Sequence, residues 1–221
     1  MIYGIVPVGG KGTRLNLPFD KELLPLLGYN NYYPVCQFTV DKLLEAECDY
    51  IYFIHGVEFK QIILNTYNDS KFIHIKNIGH RQSEVFSSFV NNVEINKNDI
   101  ILYGLPDTIY DENNPFIKMK EMSGLVCGMF DIEDHLIVGR INSDSIKFTK
   151  SNLKEKLSNK CWGVLKIDEK NIKEFNRLLM SNLNYEVEDL LNSTDFSLIE
   201  FGKYWDLGTW KSINEYYKIK C

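Results

Sequence analysis

The chain has 221 residues, 44% hydrophobic and 25% charged, enough for one sizeable domain whose sheet is covered by helices on both faces. Its 30 acidic and 25 basic residues give a formal net charge of -5, which argues against a nucleic-acid surface while leaving room for a local basic pocket. The cysteines (Cys36, Cys48, Cys127, Cys161 and Cys221) are scattered and include no CxxC pair, so they read as reduced thiols of a cytoplasmic protein rather than as a zinc site or a disulfide framework.

Ile2 to Val8 is short, apolar and rich in β-branched residues, and it stops at Gly9-Gly10, which predicts a buried strand entering a glycine turn. No basic leader precedes it, so no secretory signal is expected, and no apolar run is long enough to cross a bilayer. After Pro34, apolar residues at helical spacing (Val35, Phe38, Leu43, Leu44) predict a helix to Glu47, with the proline in its first turn. Strands are expected at Tyr50–Ile54, Phe72–Ile78 and Asp99–Tyr103, and helices at Glu58–Thr66 and Ser83–Val93. This alternation implies βαβ units and a Rossmann-like, mostly parallel sheet flanked by helices. The second half reads as strand-rich, with strands at Gly124–Phe130, Leu136–Ile141, Ile146–Thr149 and Trp162–Ile167, helices at Glu169–Met180 and Val187–Leu191, and a strand at Ser197–Phe201. No repeat or linker divides the chain, so 1–221 reads as one domain with a strand-rich insertion.

The loop Gly9-Gly10-Lys11-Gly12-Thr13-Arg14-Leu15 sits where open α/β sheets bind ligands, and its glycines let backbone N–H groups approach phosphate oxygens. It is not a Walker loop, because Lys11 is followed by Gly12 rather than Ser or Thr. It is not the dinucleotide fingerprint either, because Leu15 stands where a third glycine is needed, and this leaves an NAD-binding oxidoreductase as a distant reading. Taken alone, the loop could also be an ordinary turn with solvated basic residues.

The continuation is more specific. Pro18-Phe-Asp-Lys21-Glu-Leu-Leu-Pro25 follows, then Tyr32-Tyr33-Pro34; farther on come Gly104-Leu-Pro-Asp107 after a strand, and Tyr204-Trp205-Asp206-Leu207-Gly208-Thr209 near the C-terminus. In this order the chain resembles the sugar-1-phosphate nucleotidyltransferases, in look most of all the glucose-1-phosphate thymidylyltransferases. The resemblance implies a Mg²⁺-dependent enzyme that joins an NTP to a small phosphorylated acceptor, a sugar 1-phosphate first of all, and releases pyrophosphate. It implies a nucleotide-binding half (1–110) and an acceptor-binding half (111–221). Arg14 would bind triphosphate oxygens, Lys21 the α-phosphate and Lys150 the acceptor phosphate, while Asp107 and Asp206 would share the metal. Gly9, Gly10, Lys11, Gly12, Thr13 and Gln82 would form the nucleotide site, and Trp162, Gly163 and Glu186 the acceptor site.

The sequence also departs from the family pattern. Thr149 replaces the glutamate expected before the acceptor lysine, Gln82-Ser83-Glu84-Val85 lacks a nearby Gly-x-Ala, and the stretch from Arg14 to Lys21 is shorter. Nucleobase and sugar therefore stay open. Transfer of CMP to a non-sugar phosphate such as choline phosphate is the alternative, and an inactive nucleotide-binding regulatory subunit is a second. Neither nucleic acid nor membrane is expected as a partner. The oligomeric state is not readable, so a homo-oligomer also stays open. The four histidines lack metal-ligand spacing, and no role is expected for them.

Overall fold

The computed structural model describes residues 1–26, 33–79, 81–110, 114–132, 140–142, 147–149 and 157–220. Four parallel strands form its first half: β1 (Ile2–Pro7), β2 (Tyr50–His55), β3 (Phe72–Lys76) and β4 (Ile100–Gly104), in the order β3-β2-β1-β4. β1, β2 and β4 are near-continuous apolar runs because helices cover both their faces, which is the usual condition of strands inside a parallel sheet.

Beyond β4 the sheet becomes mixed. The long β9 (Leu157–Asp168) runs antiparallel between β4 and β6 (Val126–Asp131), and β10 (Ser197–Asp206) returns parallel to β6. A three-residue strand, β5 (Thr108–Tyr110), pairs antiparallel with the far end of β10, while β7 (Arg140–Asn142) and β8 (Phe148–Thr149) lie off the main path beside β9. The architecture is the expected one, a mixed and mostly parallel sheet between helices.

One face of the sheet carries α3 (Glu84–Asn92), α5 (Glu169–Ser181) and α6 (Val187–Asn192), packed through Phe86, Phe89, Phe175 and Leu190 onto Tyr3, Ile5 and Tyr103. The opposite face carries α1 (Val35–Glu45), α2 (Gln61–Thr66) and α4 (Pro115–Lys120), whose Val40, Leu43, Ile63 and Phe116 meet Val6, Phe53 and Leu102. A third cluster joins Leu15 and Leu24 to Trp205, Leu207 and to Ile213 of α7 (Trp210–Lys220), fastening the segment after the glycine loop to the C-terminal part of the chain. Local signals set several helix starts. Asp168 caps α5 by accepting from Asn171 N–H at 2.9 Å, and Asn114 caps α4 with Pro115 as its first residue. Pro34 stands immediately before α1 rather than inside its first turn.

The strands expected at Trp162–Ile167 and Ser197–Phe201 are longer, reaching back to Leu157 and forward to Asp206. The polar residues Ser158-Asn159-Lys160 and the Gly202-Lys203 pair interrupt the apolar pattern without ending the pairing; a register shift between Glu200 and Lys203 absorbs the second interruption. Of the strands expected at Leu136–Ile141 and Ile146–Thr149, the parts at 136–139 and 146 lie outside the described residues.

Gly163 is the residue skipped where the β6–β9 register shifts, and a Cβ there would lie 2.7 Å from Tyr204 Cε2 and 2.9 Å from Phe130 Cδ2. Gly163→Ala should therefore overpack this junction and lower unfolding free energy by about 1–3 kcal/mol, with an unchanged slope against urea. Wild-type stability in urea titration would mean that the junction has room and that the glycine answers to something other than packing.

Candidate functional site

The glycine loop leaves β1 alongside the segment that follows β2. Val8 N–H donates to Ile54 O at 2.8 Å, and a Cβ on Gly9 would sit 3.1 Å from Gly56 N, so a side chain at this contact would push the two loops apart by a few tenths of an ångström. Gly12 takes a φ of +63°, a conformation that L side chains rarely adopt. Buried Leu15 anchors the loop, and Trp210 of α7 donates its indole N–H to Leu15 O at 2.9 Å. Lys11, Thr13 and Arg14 are left exposed at the loop's rim.

Lys21 opens a short 3-10 turn, Lys21–Leu23. Its stem lies along Gly10 and Gly12, where a Cβ on either residue would come within 3.1 and 3.2 Å of it. Its ammonium forms an ion pair with Asp107 Oδ2. Asp107 comes directly before β5, and Asp206 ends β10. The pairing of these strands puts Asp206 opposite Thr108, and Leu207 N–H donates to Asp107 O at 2.8 Å. Two aspartates far apart in sequence are thereby made neighbours. Gly208 N–H donates to Asp206 Oδ1 at 2.7 Å. A Cβ on Gly208 would lie 2.7 Å from that oxygen, 3.1 Å from Arg14 Nη2 and 3.5 Å from Asp107 Oδ2, so Arg14, Asp107 and Asp206 converge on one spot.

Electrostatics divides the two aspartates. Burial raises the Asp107 carboxyl, but the Lys21 ammonium overrides it and holds the group below the usual range. Burial and the charge of Asp107 together push the Asp206 carboxyl up, and the Gly208 hydrogen bond, Arg14 and Lys21 offset this only in part. Lys21 shows the converse: burial lowers its pKa, and Asp107 more than restores it. Of the two carboxylates Asp206 is thus the less well compensated, and it is the one an added positive charge would relieve. Among the described residues no group of three or more His, Cys, Asp or Glu side chains forms a metal cage; Asp107 and Asp206 stand as two neighbouring carboxylates, the first paired with Lys21.

These groups line one end of a cleft of about 1360 Å³. Gln82 lines it too, donating Nε2–H to Tyr103 OH at 2.7 Å. Trp162 is also in the lining, its indole N–H bonded to Glu188 Oε1 at 2.9 Å. Gly163 and Glu186 do not line the cleft. Gly163 meets the rings of Phe130 and Tyr204, while Glu186 begins α6, with its N–H on Asp189 Oδ2 at 2.8 Å and Arg81 Nη1 at 3.6 Å from its carboxylate. Lys150 lies outside the described residues. Sequence reasoning passed over Glu188, Lys60 and Asp20, all of which line the cleft. Glu188 is two residues from the glutamate that was singled out and on the inward side of the helix start, a difference visible only once the helix phase is known.

The chain superposes on a crystal structure of a Bacillus anthracis protein, provisionally assigned as a glucose-1-phosphate thymidylyltransferase and solved in complex with a sucrose, with a TM-score of 0.76. The match covers 99% of this chain and 95% of that one at 20% sequence identity. The two chains share one fold. No protein-family model matches the sequence, and no curated protein matches it.

The charge distribution predicts opposite effects of two neutralising substitutions. A carboxyl whose pKa is raised on folding destabilises the native state at neutral pH, so Asp206→Asn should raise the melting temperature, by about 2–4 °C for each kcal/mol of repulsion removed. Lys21→Met strands Asp107 as a buried charge and should cost about 3–5 kcal/mol in urea denaturation. A destabilised Asp206→Asn with an unaffected Lys21→Met would invert the electrostatic picture.

Proposed function

We propose that the protein is a nucleotidyltransferase that condenses an NTP with a small phosphorylated acceptor, a sugar 1-phosphate in the first instance, to give a nucleotide-activated product and pyrophosphate. One observation carries this reading: Arg14, Lys21, Asp107 and Asp206 converge beside a glycine loop at the end of a parallel sheet, in a cleft with room for two substrates. The shared fold and the ordered motifs point the same way. Retention of both aspartates together with both cations speaks against an inactive regulatory subunit. The buried thiols Cys36, Cys48, Cys127 and Cys161 suit a reduced, cytoplasmic setting, and no described helix is long and apolar enough to cross a membrane.

In this reading 1–221 is one catalytic domain, with the nucleotide on 1–110 and the acceptor on 111–221. The acceptor's phosphate oxygen attacks the α-phosphorus in line, the bond to the β-phosphate oxygen breaks, and pyrophosphate leaves with that electron pair. The attacking phosphate is already ionised, so no general base is required, and the protein works by positioning and by neutralising charge. Loop N–H groups between Gly9 and Thr13, with Lys11, face the phosphates. Arg14 forks onto triphosphate oxygens, Lys21 neutralises the α-phosphate, Gln82 contacts the base, and Lys150 supplies the cation for the acceptor. Asp107 and Asp206 fit a hard divalent ion such as Mg²⁺, since two carboxylates leave its remaining positions to phosphate oxygens and water. When bound, the ion supplies charge neutralisation between the two anionic substrates.

Trp162 and Glu188 form the polar feature of the acceptor end, and Glu186 would contribute only from its margin. A carboxylate held against an indole suits acceptor hydroxyls. The same pair suits an ammonium head group, which keeps a choline-type phosphate as the second reading.

The test is a pyrophosphate-release screen of the common NTPs against sugar 1-phosphates and alcohol phosphates. Turnover should require Mg²⁺ or Mn²⁺ and disappear in excess chelator. Arg14→Ala should remain folded and lose about two to three orders of magnitude in turnover. Lys150→Gln should bind NTP normally by calorimetry yet lose about ten- to hundredfold in acceptor affinity. Full turnover in chelator, or a normal Arg14→Ala, would remove the reading.

A further inference from the structure

Lys60 stands at the start of α2 and lines the cleft, yet its ammonium is already surrounded by protein oxygens. It donates to Gly10 O at 2.9 Å and to Glu22 Oε2 at 2.6 Å, with Asp20 Oδ1 at 3.5 Å. The Glu22 side chain is wholly buried, and its second oxygen, Oε1, meets no hydrogen-bond partner among the described residues. Burial raises the Glu22 carboxyl, and Lys60, followed by Lys21, opposes that shift only in part, so loss of Lys60 would leave a carboxylate there strongly unfavourable.

Lys60 is itself fixed from behind. Its N–H donates to His55 Nδ1 at 3.1 Å, His55 Nε2 lies 2.9 Å from His74 Nδ1, and His74 Nε2 lies 2.7 Å from Tyr67 O. A peptide N–H only donates and a carbonyl only accepts, so the two ends set the direction of the chain, with both imidazoles neutral and carrying their protons on Nε2. Burial, with His74 beside it, draws His55 down to about 4, which keeps that tautomer in place near neutrality.

We propose that Lys60 and Glu22 are a positioning pair that clamps the glycine loop and the Lys21–Leu23 turn in the geometry that receives a nucleoside triphosphate. One ammonium joins three segments: the Gly10 carbonyl, the turn through its buried glutamate, and the start of α2. Lys21 is then held by Asp107 on one side, while the residue next to it is held by Lys60 on the other. The triphosphate rests on the nucleotidyltransferase reading above, whereas the clamp stands on the contacts alone.

Amide hydrogen exchange without nucleotide tests the clamp directly. Leu23 and Leu24 N–H donate to Asp20 O at 2.9 Å and Lys21 O at 3.1 Å, so their exchange reports on the turn. Both should exchange about tenfold faster or more in Lys60→Met and keep near wild-type rates in Lys60→Arg. If Lys60→Met fails to fold because Glu22 is left charged and buried, the double variant Lys60→Met/Glu22→Gln removes both charges and should show the same acceleration. In the transfer assay, Lys60→Met should raise the KM for NTP about tenfold or more, leave the acceptor KM unchanged, and be rescued by Lys60→Arg. Wild-type exchange at Leu23 and Leu24 in the folded double variant overturns the clamp. An equal rise in both KM values overturns its specificity for the nucleotide side. Accelerated exchange in a protein whose wild-type form transfers no nucleotide keeps the clamp and removes the functional reading instead.

Discussion

The contact between Lys21 and Asp107 ties the front of the molecule to the middle of its sheet, and much of the candidate site is arranged around it. Lys21 belongs to a turn that follows the glycine loop, whereas Asp107 comes after β4, so their ion pair closes a long span of chain over the cleft. Neither group would sit comfortably there alone. Burial disfavours the charged forms of both, and each restores the charge of the other. An ion pair in such a place does not by itself make a fold stable, since desolvation takes back much of the Coulomb attraction. What it supplies is register: Lys21 has one carboxylate to meet, and the glycine loop must follow a path along the lysine stem that permits the meeting.

The strands β5 and β10 add a second constraint of opposite sign. Their short antiparallel pairing brings Asp206 beside Asp107, where the two carboxylates repel, and the Asp206 carboxyl rises as a result. Arg14, attached to a loop that Leu15 and Trp210 hold down, lies close enough to soften the repulsion without removing it. A site of this kind is destabilised while empty and relieved by added positive charge, the trade-off expected where function rather than stability selects the residues. The polyanionic substrate of the proposed reaction would have the opposite demand, which the loop N–H groups and the cations could meet.

What could be read from the sequence follows from the range over which each signal acts. Glycine turns, apolar strands and helical periodicity are local, so β1 to β4 and the helices α1, α2, α3, α5 and α6 were legible, though α4 and α7 were not, and so was the mixed, mostly parallel sheet that follows from their alternation. Motif order supplied Arg14, Lys21, Asp107 and Asp206, although only the pairing of β5 with β10 makes neighbours of the two aspartates. The misses are of three kinds. β5 is too short for a period-2 pattern to emerge, and the ends of β9 and β10 are polar enough to look like loop. Glu186 and Glu188 differ by two residues in sequence and by a face in space, so only the start of α6 decides which of them meets Trp162. Glu22 and Lys60 look like ordinary surface charges, because nothing in a single sequence marks a glutamate whose side chain has no exposure at all.

That last case has a consequence for how the cleft divides its cations. Lys11 and Arg14 are both exposed at the rim, Arg14 with its Nη2 turned toward the spot where Asp107 and Asp206 meet. The charge of Lys60 is directed elsewhere: Glu22, Asp20 and the Gly10 carbonyl surround it, and the ordered pair His55–His74 holds its backbone. The Lys60 ammonium meets oxygens of three residues in different directions, and the planar fork of Arg14 is shaped to pair two oxygens at once. The same class of residue thus does two jobs on opposite sides of one loop. In the proposed reaction the outward-facing cations would attract the phosphates, and the inward-facing one would fix the loop that receives them. Preorganisation of this sort lets electrostatic stabilisation act without reorganisation at the moment of reaction, so under the proposed function a lysine that touches no substrate would still govern how tightly a nucleotide is held.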